Sequence, residues 1–202
     1  MPKSELSKSY SPSEHESSIY AMWEKSGAFS PAGDKAKEPF SNIMPPPNAN
    51  GSLHAGHAMY VVDDIATRFS RMQGRPTLWL PGVDHAGIET QVVFERELAK
   101  DKKTRFDLGK EEFYKQALQF TLDNKSTVLE QMRSLGFSAD WQKLKFTLDD
   151  DIINIVYATF TKMHQDGLVY RGDRIVNRCP HCHSGYADNE LRYRTQLDPL
   201  YY

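Results

Sequence analysis

Two hundred and two residues, 39% hydrophobic and 26% charged, suffice for one domain with a small appendage and are too apolar for a disordered chain. Twenty-five Lys and Arg against 27 Asp and Glu leave a net charge of −2, which excludes a generally basic nucleic-acid coat but not a local patch. No apolar run approaches the roughly 20 residues of a membrane helix, Met1 to Ser13 lack the apolar stretch of a secretory signal, and Cys179 and Cys182 cannot frame a disulfide scaffold. No membrane association is expected, and the cytoplasm is the default compartment.

Ser13 followed by Glu16 has the form of a capping box, and Ile19, Tyr20 and Trp23 continue it at helical spacing. The Gly- and Pro-containing stretch 27–39 reads as a surface connection. Phe40 to Met44 predicts a strand stopped by Pro45-Pro46-Pro47. Asn48 to Gly51 are turn formers, and Ser52 is placed to cap a helix. Ala58, Val62, Ile65, Phe69 and Met72 then fall at steps of three and four, predicting one buried stripe, and Gly74 ends the helix. Thr77 to Leu80 predicts a second strand, closed by Pro81-Gly82 and followed by a helix through Val92, Val93 and Leu98. Two longer helices are predicted. Phe113 to Leu135 turns Leu118, Leu122, Leu129 and Met132 inward; Asp149 to Gln165 does the same with Ile152, Val156, Phe160 and Met163. Beyond Gly167, Leu168 to Tyr170, Arg174 to Val176 and Leu191 to Tyr193 read as short strands around Cys179-Pro180-His181-Cys182.

Strand, loop, helix, repeated once, is the pattern of a parallel sheet with covering helices and right-handed crossovers. The expected class is α/β: the first half of a Rossmann-like nucleotide-binding domain, since a complete doubly wound sheet has ~6 strands, followed by a small zinc-ribbon-like β element. Expected boundaries are 1–38 for an N-terminal helix and linker, 39–168 for the half-domain and 169–202 for the β element. The apolar run Leu200-Tyr201-Tyr202, with no closing element after it, reads as the start of something longer.

Three clusters could carry chemistry. The densest is Pro45 to His57, in which His54-Ala55-Gly56-His57 follows a strand and a proline turn and opens a helix, where free N–H groups and the helix dipole favour phosphate. Two imidazoles there can donate to the oxygens of one polyphosphate, and Gly56 leaves room for a ring or phosphate against the backbone. The chemistry that suits them is attack on the α-phosphate of ATP. The bland alternative is a glycine-rich helix start with two exposed histidines. Asp84, in Asp84-His85-Ala86-Gly87 after the second strand, should lie beside the first cluster and could hold an ammonium group; a helix cap or turn residue is the alternative. Cys179 and Cys182 have the spacing of half a zinc knuckle; a dithiol or redox pair are the alternatives.

His54 to His57 after Pro45 to Asn48 resembles the first ATP-binding motif of the class I aminoacyl-tRNA synthetases. Arg71-Met72-Gln73-Gly74, Leu78 to Ile88, Leu135 to Trp141 and Val176 to Cys182 narrow the resemblance to the valyl-tRNA synthetase family, from about Tyr20 onward. That resemblance implies a valine–tRNA ligase activity: valine is activated with ATP and Mg²⁺ as valyl-adenylate and passed to tRNA(Val), in a protein expected to be monomeric. It implies that His54 and His57 are catalytic contacts to the ATP phosphates and that Gly56 faces the adenosine. Pro45, Pro46 and Asn48 would line the amino-acid pocket, and Asp84 would hold the valine ammonium. Cys179 and Cys182 would begin a Zn²⁺ module at the base of an editing insertion. The second ATP motif of the family, of the Lys-Met-Ser-Lys-Ser type, is not in this sequence. Arg178 replaces the usual Trp, and Ala49-Asn50-Gly51 is nearer the isoleucyl spelling. The alternatives are an isoleucyl-type synthetase or another H-x-G-H nucleotidylyltransferase, and a truncated, non-catalytic tRNA-binding paralogue.

Overall fold

The structure, a computed structural model, describes residues 9–180 and 183–195. Among these the chain order is α1 (Pro12–Lys25), β1 (Phe40–Ile43), α2 (Tyr60–Met72), β2 (Thr77–Leu80), β3 (Gly82–Val83), α3 (Ile88–Lys100), α4 (Arg105–Ser134), β4 (Lys145–Phe146) and α5 (Asp150–Gln165). The chain divides into two compact units, the first ending at Val156 and the second beginning at Tyr157. No helix among the described residues is long and apolar enough to cross a membrane.

In the first unit β1 and β2 pair in parallel, with Phe40 opposite Thr77 and Ile43 opposite Leu80. The expected α/β arrangement is therefore present. Pro81 then steps the chain sideways, and β3 pairs in parallel with β4, Val83 opposite Phe146. This second ladder is two residues long, too short to leave an alternating pattern in the sequence. A further parallel bridge joins Asn48 to Asp84.

The core collects residues from α1, the strand ends, α4 and the loop after it: Tyr20, Met44, Trp79, Val128, Phe137 and Trp141 among them. Tyr20 also ties α1 down with polar contacts. Its hydroxyl donates to the Phe137 carbonyl at 2.6 Å and accepts from Trp141 Nε1 at 2.6 Å. Burial pushes its pKa from 10.0 to about 12.

Helix α2 overturns one expectation. Val62, Ile65, Phe69 and Met72 are between 60% and 86% exposed, while Asp64, Thr67 and Ser70 are buried. The helix packs with its polar side. Asp64 Oδ1 accepts from the amide of Ser138 at 3.1 Å and from its hydroxyl, and Oδ2 accepts from Arg68 Nε at 2.8 Å. Arg68 reaches the Gly136 carbonyl at 2.6 Å. Arg71 donates to the Ser138 hydroxyl and to the carbonyls of Ser138 and Phe29. Charged hydrogen bonds satisfy the polar face inside, a solution that apolar periodicity does not encode.

Other boundaries move for local reasons. Helix α1 starts at Pro12 with Ser11 outside it, so Ser13 sits in the first turn and forms no capping box; proline suits the first helical position. Ser52 does not cap the next helix, because His54 caps a 3-10 turn, Ala55–Met59, that leads into α2. Helix α4 begins eight residues before the expected Phe113: the Thr104 amide and hydroxyl both donate to Asp107 at 2.7 Å, and Gly109 (φ 74°, ψ 169°) then kinks it. On α5, Val156 and Phe160 are each 58% exposed, so that expected stripe is not buried either.

The second unit carries no strands at 168–170, 174–176 or 191–193. Most of their apolar side chains stand in solvent: Leu168 is 70%, Tyr170 83% and Ile175 100% exposed. An antiparallel bridge joins Arg178 to Gly185. The expected run at Leu200 to Tyr202 lies outside the described residues.

Two outcomes follow from these contacts. Asp64→Ala strands the Ser138 and Arg68 donors and should lower stability by about 3 kcal/mol in urea unfolding. The raised pKa of Tyr20 stabilises the fold fully below pH 10 and loses that contribution as pH rises from 10 to about 12. Tyr20→Phe should flatten that part of the stability-against-pH curve.

Candidate functional site

The site forms where the parallel strands end, the location expected of ligand sites in open α/β sheets. After β1 the three prolines hold the chain extended, and two short backbone bonds fasten it to the loop after β3. The Asp84 amide donates to the Pro47 carbonyl at 2.8 Å, and the Ala49 amide donates to the Asp84 carbonyl at 2.7 Å. The second cluster thus lies against the Asn48 turn, as the sequence predicted. Farther on, the Leu53 amide donates to Gln131 Oε1 of α4 at 2.7 Å, which anchors the chain one residue before His54.

His54 and His57 form a reciprocal cap. His54 Nδ1 accepts from the Gly56 amide at 3.1 Å, and His57 Nδ1 accepts from the His54 amide at 3.0 Å. The rings lie 4.0 Å apart. A ring nitrogen that accepts carries no proton, so a neutral His54 holds its proton on Nε2. His57 Nδ1 also lies 3.2 Å from the His54 carbonyl, to which it donates in the other tautomer. His54 is therefore set as an Nε2–H donor, and no other described group bonds the Nε2 of either histidine. Tyr60 stands 5.6 Å from the His57 ring, its phenol pKa raised by burial and by Asp63.

Gly56 meets a constraint from within the chain itself. A Cβ there would lie 2.8 Å from His54 Cε1 and 2.9 Å from its Nδ1. The missing side chain makes room for the protein's own imidazole.

Asp84 is not a helix cap, since Gly87 fills that position before α3, but it is a turn residue, its carboxylate holding the amide two residues on. Its Oδ1 accepts from the Ala86 amide and from the Thr147 hydroxyl, both at 3.1 Å. The Thr147 oxygen accepts in turn from the His85 amide at 2.9 Å and lies 2.6 Å from His85 Nδ1. The one hydroxyl proton can go to Asp84 or to His85 Nδ1, which itself stands 3.4 Å from Asp84 Oδ1. This leaves Asp84 Oδ2 available to a ligand. Asn48 Nδ2 donates to Glu89 Oε2 at 2.9 Å. A nearly wholly apolar cavity of about 160 Å³ adjoins the cluster, with Met44, Pro46, Val83, Phe146, Thr147 and Ile152 in its wall. Gly82 keeps it open, since a Cβ there would come within 3.3 Å of Pro46. Pro45, by contrast, is exposed and outside this wall.

Sequence reasoning missed Thr147, Glu89 and the role of His85. Glu89, five residues after Asp84 in the first turn of α3, was within reach of a sequence argument. Thr147 was not, because only the two-residue β3–β4 ladder brings it over.

The candidate zinc residues divide. Cys179 is buried in a turn closed by its amide donating to the Ser184 carbonyl at 2.9 Å and by the His183 amide donating to its own carbonyl at 3.0 Å. Cys182 lies outside the described residues. No group of three His, Cys, Asp or Glu among the described residues could hold a metal.

Residues 18–199 match the family model of the class I tRNA synthetases (I, L, M and V). The chain belongs to this family. It is 45% identical over 188 residues to a chloroplastic/mitochondrial valine–tRNA ligase of Arabidopsis thaliana, 93% of this chain and 19% of that one. It is 42% identical to the valine–tRNA ligase of Clostridium tetani, over 93% of this chain and 22% of that one. To the enzyme of Treponema denticola it is 40% identical, over 98% and 22%. The chain thus spans about a fifth of the length of these relatives. Among solved structures, Agrobacterium radiobacter LeuRS, in a ternary complex with tRNA and LeuAMS, shares the fold with a TM-score of 0.73 at 20% identity, over 89% of this chain and 21% of that one. The α/β class with parallel sheets is the synthetase fold.

Gly56→Ala should push the His54 ring off its backbone donor. Long-range ¹H–¹⁵N spectra of the imidazoles should show one Nε2–H tautomer at His54 in the parent chain and a mixture in the variant.

Proposed function

We propose that the chain supplies the ATP-phosphate and amino-ammonium contacts of a valine-activating centre. The observation that carries this reading is the pair of imidazoles whose Nδ1 atoms are both held by backbone groups, with each Nε2 left toward a ligand. His54 presents an Nε2–H donor already in place, as electrostatic catalysis demands, and His57 does the same in the tautomer whose Nδ1 accepts.

In the proposed step the amino-acid carboxylate attacks the α-phosphorus of ATP. A carboxyl oxygen–phosphorus bond forms, the bond from the α-phosphorus to the bridging oxygen breaks, and pyrophosphate leaves with the electron pair. His54 and His57 donate to phosphoryl oxygens as their charge rises; each such donor contributes about 3 kcal/mol to lowering the barrier. Asp84 Oδ2 holds the ammonium group, with Thr147 and His85 keeping the carboxylate in place. The apolar cavity beside Pro46, at about 160 Å³, suits a small branched aliphatic side chain such as that of valine. Mg²⁺ would ride on the ATP phosphates, the usual arrangement for this ion. Transfer of the valyl group to tRNA(Val) completes the reaction of the longer proteins that this chain matches.

The zinc reading is also a proposal. The C-x-x-C spacing and the burial of Cys179 support it, and Cys179 and Cys182 would supply half of a tetrahedral thiolate set.

The test is amino-acid-dependent ATP–pyrophosphate exchange on the purified chain with valine, isoleucine, threonine and leucine. Valine should lead, with threonine about 100-fold lower, as an apolar pocket discriminates an isostere. His54→Ala with His57→Ala should reduce valine exchange at least about 100-fold. Exchange led by isoleucine overturns the valine reading, and exchange that survives the double substitution overturns the role of the histidines.

A further inference from the structure

A second cavity, of about 480 Å³, lies where α3 meets the beginning of α4. Its wall includes Gln91, Arg105, Phe106, Lys110, Phe113 and Tyr114. The size falls within the range of ligand sites. Gly109 creates the corner: its left-handed φ of 74° turns the first residues of α4 back, so that Phe106 and the later face of the helix share one hollow. From Lys110, Phe113 and Tyr114 follow at i+3 and i+4 on that face. The hollow has a firm base, because Phe113 meets Phe94 at 5.5 Å and Phe94 meets Phe120 at 5.5 Å.

Two features set this hollow apart from ordinary surface. Phe106 is 75% exposed and Tyr114 65% exposed, so two aromatic rings stand open on its rim. Its lining holds two cations and no carboxylate. Arg105 stacks 4.9 Å over the Phe106 ring and pairs with Glu95 at 3.2 Å. Lys110 makes no ion pair among the described residues and is the uncompensated charge. Open aromatic faces beside a cation are how proteins hold unpaired bases, through stacking with the phosphate on the cation. A protein partner or an apolar ligand would account for the rings but not for a lining of one charge sign.

We propose that this hollow seats an unpaired nucleotide of single-stranded RNA, its base stacked on Phe106 and Tyr114 and its phosphate on Lys110. Taking RNA as the occupant rests on reading the chain as part of a tRNA-handling synthetase; the stacking chemistry does not.

The test is fluorescence anisotropy with a labelled 12-nucleotide single-stranded oligouridine at several salt concentrations, on the whole chain, with near-ultraviolet circular dichroism to verify folding. The parent chain should bind it. Phe106→Ala with Tyr114→Ala should weaken binding about 10- to 100-fold, the scale of base–aromatic stacking. Tyr114→Phe should bind as the parent does, which separates stacking from loss of fold. Lys110→Gln should reduce the slope of log affinity against log salt by about 0.7, the contribution of one single-strand phosphate. A folded parent that does not bind overturns the proposal, as does a folded double variant that binds equally well. Competition by uridine monophosphate as effective as by the oligomer also overturns it, since that would mark a mononucleotide pocket. None of these substitutions touches His54, His57 or Asp84, so valine-dependent exchange should be unchanged in all of them. A chain without exchange that still binds the oligomer through Phe106 and Tyr114 fails the catalytic reading and keeps this one.

Discussion

The buried carboxylate of Asp64 organises the first unit. It lies on the inner side of α2 and collects the amide and hydroxyl of Ser138 and the Arg68 guanidinium. A lone buried charge is costly; one with every oxygen occupied acts as a fixed joint. Through it the loop after α4 is fastened to α2, and Arg71 extends the joint to Phe29 and Ser138. Burial lowers the pKa of Arg71, yet nearby Asp64 and Asp140 favour its charged form. The joint fixes the rotation of α2 about its axis. The 3-10 turn that carries His54 and His57 is continuous with α2, so the direction of the imidazoles is inherited from contacts made two and three turns away.

The cluster around Asp84 is brought together by backbone pairing. The bridge between Asn48 and Asp84 and the β3–β4 ladder bring three sequence-distant segments to one place. Each contributes a partner: Pro46 from the first, Asp84 and His85 from the second, Thr147 from the third. His54 and His85 differ in what each Nδ1 faces, an amide in one case and a hydroxyl in the other.

Much of this was legible in the residues. Proline turns and strand patterns located both parallel strands and the two clusters at their ends, and the motif spelling led to the family. The failures share a cause. Apolar periodicity assumes that a helix buries its apolar side; α2 buries Asp64, Thr67 and Ser70 instead, because Asp64 and the arginines four and seven residues beyond it find hydrogen-bond partners there. Thr147 could not be foreseen because its place depends on a two-residue ladder. The strand-like runs after Gly167 have the right residue types but pair with no strand among the described residues, and β propensity without packing builds no sheet.

Gly56 bears on how the motif can change. What a side chain would strike there is the imidazole of His54, which is present whether or not a nucleotide is bound. A side chain at 56 is open to the chain only together with a new place for that ring. Positions 54 and 56 are therefore tied to change as a pair.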